Sequence, residues 1–312
     1  MSRSKENGSA AIQSGADTPH SKGRTLLIAA AILWSTNGVI VKSPLLQAIP
    51  LEDRGWLLAC YRALFASFAL LPLVPWRQVR WRPGLIVSVG TFAVMNTSYV
   101  IGLTRTSAAA ATFLQYTSTV WVFLFGWLVL KERVHRGNVV ALLCAVVGIT
   151  FIVLAERDQQ RADGNMFALI SGLGFAGVVL NLRWLRDESS AWLTFLNHLL
   201  SGLVLLPIVL PRGVELQPSQ WLLIALLGIV QMGLPYMLAA RGVALVTVQE
   251  AALLLLLEPI FSPVWVWLCW GEQVGWPTLI GGGLILGGLA LRYLVWPDRL
   301  FAIVRQPPLA GP

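Results

Sequence analysis

Ten apolar runs, each long enough to cross a hydrocarbon core as a helix, follow one another along this chain with only short connections between them. They lie at about residues 25–43, 56–75, 84–104, 107–130 and 137–155, then at 165–184, 191–210, 220–240, 247–270 and 276–296. A core of about 30 Å takes about 20 helical residues. In lipid every backbone polar group must be satisfied within the structure, which leaves helices and closed barrels as the spanning folds. A barrel would alternate in segments of about 10 residues, whereas these runs are continuous. The expected fold class is therefore an all-α integral membrane protein with ten transmembrane helices. Composition agrees: charged residues are 12% of 312 and the mean hydropathy is +0.69, against about 25% charged in a soluble domain.

The connections hold the breakers and most of the charges, as at Pro50 to Arg54, Trp76 to Pro83, Lys131 to Arg136 and Glu156 to Gly164. The net charge of +8 is spread in short clusters between the runs, which fits loops beside an anionic leaflet and not a nucleic-acid surface. With the N-terminus inside, Lys and Arg favour cytoplasmic segments roughly three to one. This predicts a multi-pass protein of the cell inner membrane with both termini cytoplasmic. Residues 1–23 are polar and rich in Ser, Gly and Ala, the composition of a disordered tail, and 297–312 form a second cytoplasmic tail. The remaining chain divides into five-helix units over 24–155 and 164–296. Cys60, Cys144 and Cys269 lie inside apolar runs and read as small buried hydrophobes.

The two groups of five runs read as a repeat. A shift of 140 residues places Gly102 on Gly242, Trp127 on Trp267, Glu132 on Glu272 and Gly148 on Gly288. A unit with an odd number of spans inserts its second copy upside down. Inverted repeats are a transporter architecture, with the substrate site near the midplane between the halves.

Local motifs add to this pattern. The first run reads Ile32-Leu33-Trp34-Ser35-Thr36-Asn37-Gly38, with Lys42 near its end, and the second carries Tyr61-Arg62-Ala63. The fourth ends Leu130-Lys131-Glu132, and the ninth contains Leu257-Glu258-Pro259 and Trp270-Gly271-Glu272. With these motifs the chain resembles the drug/metabolite transporter superfamily, in particular the paired EamA-type domains of bacterial permeases. The resemblance covers about residues 25–296 and implies export of amino acids or similar metabolites, with proton coupling as an option. It also implies a structural or gating role for Lys42 and Arg62, and a structural one for Glu132 and Glu272. One departure stands out. The family often places a proline in the fourth span to match that of the ninth, and here Thr119 is the mate of Pro259. The two halves are therefore expected to bend differently.

Few residues inside the spans can carry chemistry. Glu258 sits about 10 residues into the ninth run, roughly 15 Å deep. A carboxylate there costs about 2.5–3.5 kcal/mol on insertion scales, so it needs a partner, a proton or water. It is a candidate proton-coupling and substrate-binding residue, or else it accepts a structural bond from a neighbouring helix. Pro259 and Pro263 each remove an amide donor and free a carbonyl one turn upstream, which makes them candidate helix-break positions. Trp34 and Asn37 share one face of the first run, and Asn96 and Tyr99 one face of the third. Gln115 and Ser118 lie at mid-depth on the fourth, Gln231 and Tyr236 on the eighth. This set would line a pocket for a small amphipathic solute, or its amides and hydroxyls would join helices to one another. Arg62 and Lys42 have stems long enough to snorkel to the surface, or one of them balances a buried carboxylate or meets an anionic substrate. Glu250 reads as solvated or paired with Arg241, and His198 beside Asn197 as a packing contact. Of the tryptophans, only Trp34, Trp121, Trp127, Trp265 and Trp267 lie deep enough to reach a pocket. The Gly283 to Gly287 spacing permits close helix packing.

No P-loop is present, so the expected function is secondary transport of a small metabolite by alternating access. No metal or cofactor is expected. The partners implied are a small-molecule substrate, a coupling proton and the bilayer, with no nucleic acid. A membrane-embedded enzyme or a non-transport scaffold is the alternative. The chain lacks the His-rich runs and nucleophile elbow of the first, and the second has no need of an inverted repeat.

Overall fold

A computed structural model describes residues 19–128, 136–155, 159–185, 187–246 and 248–295. The expected tails at 1–18 and 297–312, together with Glu132 and Trp296, lie outside the described residues. The described chain is helical throughout its ten segments. The first repeat comprises α1 (Pro19–Val41), α2 (Leu51–Leu70), α3 (Gly84–Arg105), α4 (Ala108–Gln115 continued by Ser118–Leu128) and α5 (Arg136–Ala155). The second comprises α6 (Gln159–Trp184), α7 (Ser190–Val209), α8 (Pro218–Val243), α9 (Val248–Leu255 continued by Leu257–Trp270) and α10 (Trp276–Val295). By length and composition, eight helices are long and apolar enough to span a membrane among the described residues, and α5 contributes a shorter apolar stretch, Val139–Leu154. The ten-helix expectation agrees with this set.

Helix boundaries move at several places, among them α2, which begins at Leu51 inside the connection expected at Pro50 to Arg54. α1 begins at Pro19, so residues 19–23 belong to a helix and not to the polar tail expected there. Pro suits a helix start because its missing N–H is not needed in the first turn. α6 begins at Gln159, inside the connection expected at Glu156 to Gly164.

Helix pairing respects the 140-residue shift. α2 packs on α7, α4 on α9 and α5 on α10, and in each pair the partner is the helix's own mate. α1 packs on α8 and α3 on α6, and the shift exchanges those two pairs. This is the pattern of a pseudo-twofold relation between the repeats.

Lipid tails are as apolar as the side chains, so helix association depends on close packing and hydrogen bonds. The α5–α10 contact illustrates the packing. A Cβ on Gly281 would collide with the backbone oxygen of Gly148, and one on Gly288 with Cys144. Gly283 and Gly287, the pair expected to make the close approach, face open space. The face of α10 toward α5 thus runs through Gly281 and Gly288, while Gly282 packs against Phe113 of α4. Cys60 is buried, Cys144 half-buried and Cys269 exposed, so the last departs from its expected burial.

The helices depart from regularity where α1, α4, α8 and α9 meet at mid-depth. α1 is interrupted at Thr36, where Ser35 and Thr36 hydroxyls bond back to the Ile32 and Leu33 carbonyls (2.6 and 2.7 Å), a habit that bends helices. α9 is interrupted at Leu256, one residue after the Leu255 carbonyl that Pro259 leaves without its amide donor. α4 is interrupted at Tyr116 and Thr117, where the Thr117 hydroxyl bonds back to the Leu114 carbonyl (2.6 Å). The α4 and α9 breaks are mates under the 140 shift. These two helices therefore break at matching positions although Thr119 replaces the proline, whereas the break in α1 has no counterpart in its mate α6. In α8, residues Leu227–Gly233 form a π-helical stretch, a distortion that often marks functional sites.

Gly281→Ala is expected to destabilise the fold by about 1–3 kcal/mol through overpacking against backbone. Gly283→Ala should leave it unchanged. Thermal unfolding of the detergent-solubilised variants, followed by tryptophan fluorescence, compares the two; equal midpoints would remove the α5–α10 seam from this account.

Candidate functional site

The irregular segments of α1, α4, α8 and α9 surround a cavity of about 340 Å³, to which α2, α3, α6 and α10 add side chains. Each of the nine residues expected to touch a solute lines it. α1 supplies Trp34 and Asn37, α3 supplies Asn96 and Tyr99, and α4 supplies Gln115 and Ser118. Gln231 and Tyr236 come from α8, and Glu258 from α9. Pro259 and Pro263 are buried beside it in α9 but are not part of its lining.

Glu258 Oε2 accepts a hydrogen bond from the Tyr116 hydroxyl (2.9 Å), which also lies 3.1 Å from the Leu255 carbonyl. That carbonyl is the one released by Pro259, so a tyrosine of α4 occupies the gap in the α9 ladder. No cation lies within ion-pair distance of Glu258 among the described residues. Tyr116 was missed from the sequence because its role depends on contact with a helix about 140 residues away.

Arg62 is the second charge on the cavity and the larger surprise. It is 2% exposed and lines the same space, so of the two readings from the sequence it does not take the snorkelling one. Its Nε and one Nη donate to Asn96 Oδ1 (3.0 and 2.7 Å), and its other Nη lies 3.5 Å from Asn37 Oδ1. The guanidinium also lies 5.9 Å from the Tyr99 ring centre. Asn96 is held in turn by donating to the Ala59 carbonyl (2.9 Å). Two of the expected solute ligands thus act first as supports for Arg62. Its position on the inner side of a nearly featureless helix is invisible to hydropathy; only the amides on facing helices hinted at a polar partner.

The remaining members have distinct surroundings. Trp34 meets Tyr236 edge to face with ring centres 5.1 Å apart, and its carbonyl accepts from Gln231 Nε2 (3.1 Å). The Gln231 Oε1 atom is buried with no partner among the described residues. His198 lies outside the cavity lining, between the Phe92 and Tyr236 rings, with Nδ1 2.8 Å from the Thr194 carbonyl. Asn197 accepts from Ser88 (3.1 Å). Both are packing contacts, as expected. Of the deep tryptophans only Trp34 lines the cavity. Trp127 and Trp267 are exposed, and Trp265 donates to Ser35 Oγ (2.9 Å).

Polar contacts close the cavity toward the face where α1 ends. The Tyr99 hydroxyl, Thr112 and Ser262 form a chain at 3.3 and 3.4 Å. Beyond it Lys42 donates to the Thr106 carbonyl (2.7 Å) and lies 3.4 Å from Glu272, whose other oxygen accepts from the Ala108 amide (2.7 Å). Lys42 is thus paired with a carboxylate and does not snorkel. Toward the opposite face the lining turns apolar, with Val122, Val178, Val179 and Leu289. There Glu250 pairs with Arg24 and His20 of α1, and not with Arg241 as expected. α1 and α9 are consequently joined by charges near both ends. Among the described residues no cluster of His, Cys, Asp or Glu could hold a metal ion.

Known proteins share this sequence pattern. The model of the EamA-like transporter family matches the chain twice, over residues 21–154 and 163–294. The chain belongs to that family. An uncharacterized transporter of Archaeoglobus fulgidus is 28% identical over 273 residues, which cover 87% of this chain and 96% of that protein. A probable amino-acid metabolite efflux pump of Salmonella typhimurium is 25% identical over 195 residues, 58% of this chain and 63% of the pump. The pseudopaline exporter CntI of Pseudomonas aeruginosa is 25% identical over 210 residues, 65% of this chain and 72% of the exporter. The family identity and the helical architecture thus agree with the resemblance drawn from the motifs.

Tyr116→Phe removes the donor that serves both the Leu255 carbonyl and Glu258. A loss of about 1–3 kcal/mol is expected for buried acceptors left unsatisfied, read as a lower thermal midpoint; an unchanged midpoint would mean that water replaces the hydroxyl at no cost.

Proposed function

We propose that this EamA-family protein is a secondary transporter of the cell inner membrane that moves a small metabolite, an amino acid or a related compound, by alternating access. Export is the favoured direction and both termini face the cytoplasm. The observation that carries this reading is the cavity. It lies at mid-depth between two related five-helix units, and the helix breaks on α4 and α9 meet at its wall. Broken helices at such a place supply polar backbone groups to a solute. About 340 Å³ suits a metabolite of amino-acid size, and the aromatic rings of Trp34, Tyr99 and Tyr236 suit an apolar side chain. The names of the two exporting relatives favour outward movement of amino-acid-like compounds.

Alternating access requires the cavity to open to each face in turn. The Lys42–Glu272 pair with the hydroxyl chain beneath it would be the barrier on the outer side, and the apolar lining would lead to the cytoplasm. Glu258 is the proton-coupling group of the cycle, because it is the acid on the cavity wall and its bond to Tyr116 joins it to the α9 break.

Proteoliposomes loaded with candidate metabolites test this reading. A pH gradient should drive flux of at least one of them in the unaltered protein. Glu258→Gln, assayed at saturating solute, should lower the gradient-driven flux at least tenfold and leave the remaining flux independent of the pH gradient. Proton-coupled flux that survives the substitution would remove Glu258 from the coupling.

A further inference from the structure

Arg62 and Glu258 line one cavity and carry opposite charges, yet neither has an ionic partner among the described residues. Buried charges without a counter-charge are costly, and each of these has neutral partners of its own. Arg62 is clamped by Asn96, which is itself tied to the Ala59 carbonyl, and lies over Tyr99. Glu258 is held by Tyr116 on a different helix.

From this we infer that the cavity is a zwitterion site, in which Arg62 receives a carboxylate and Glu258 an ammonium group of the same ligand. The inference rests on the transport reading above and narrows it to a charge pattern. A guanidinium has five N–H donors in a fixed fork that fits a carboxylate. The contacts to Asn96 and Asn37 use Nε and one hydrogen on each Nη, so one N–H on each Nη remains for a ligand. An ammonium group carries three donors and no acceptor. Glu258 receives one hydroxyl donor from the protein, and the buried Gln231 Oε1 on the same cavity has none. A zwitterion compensates both buried charges in one step. An amine leaves Arg62 uncompensated, and a simple carboxylate leaves Glu258 so. Charge pattern thus selects the ligand, and the aromatic walls accept a range of side chains. Arg62 is the specificity-determining residue.

Full-length protein in detergent is titrated with L-leucine, L-phenylalanine and 6-aminohexanoate, and binding is read by ligand-induced thermal shift. Each is compared with its decarboxylated amine and its deaminated acid. At least one zwitterion is expected to bind tenfold or more tightly than both of its analogues. Arg62→Gln should bring that zwitterion level with the amine, and Glu258→Gln should bring it level with the acid. Arg62→Lys keeps the charge without the fork and should bind the zwitterion more weakly than the unaltered protein. The comparison within the unaltered protein needs no variant to fold. If an amine or an acid matches every zwitterion there, or if no member of the panel binds, the inference is overturned. Liposome flux separates it from the wider reading. Flux without charge discrimination keeps the transporter and removes the charge pair. Discriminating binding without flux keeps the site and removes the transport.

Discussion

Hydrocarbon offers no partner to an unpaired backbone carbonyl or amide, and each one left exposed there costs several kcal/mol. That constraint governs where this bundle can depart from regular helix. α1, α4 and α9 are interrupted and α8 carries a π-helical stretch, and all four irregularities adjoin the cavity that holds Arg62 and Glu258. Side chains repair what the breaks release: Ser35, Thr36 and Thr117 bond to carbonyls of their own helices, and Tyr116 serves Leu255 across the bundle. α5, which adds no side chain to the lining, remains continuous and meets α10 through glycines.

The same constraint explains why the charges fall into two kinds. Those near the helix ends pair with one another, as Lys42 does with Glu272, Arg24 with Glu250 and Arg82 with Glu188. They fasten neighbouring helices beside the membrane faces. Arg62 and Glu258 are deeper and are supported by neutral groups instead. Neutral support fixes a charge in position without cancelling it. It leaves the electrostatic work undone, and that is the condition under which a bound solute is needed to complete it.

Much of this was legible in the sequence, for physical reasons that differ by element. Lipid exposure demands long apolar runs, so the helices announced themselves, and the 140-residue shift exposed the repeat through uncommon residues such as Trp127, Glu132 and Gly148. Polar residues in the spans are few, which is why Trp34, Asn37, Asn96 and Glu258 could be singled out and were found around one cavity. Direction around the helix axis was harder to read. Arg62 has a stem that would permit snorkelling, and nothing in its own helix shows that it turns inward to Asn96. The break in α4 was hidden because it arises at Tyr116 and Thr117 and not at a proline. Glu250 pairs with α1, whose start at Pro19 lay in a segment read as tail. On α10 the contact runs through Gly281 and Gly288, because the rotational setting of a helix rich in glycine is not readable from spacing alone.

Tyr116 has one hydroxyl proton and two acceptors within reach, the Leu255 carbonyl and Glu258. While Glu258 is a carboxylate, the two compete, and whichever receives the proton deprives the other. A neutral Glu258 can give its own hydrogen to the Tyr116 oxygen, which frees the tyrosine proton for Leu255. A ligand cation on Glu258 alters the same competition by occupying the carboxylate. The seam of α9 is therefore fastened or loosened by a count of hydrogens at one oxygen atom, and what sits in the cavity sets that count.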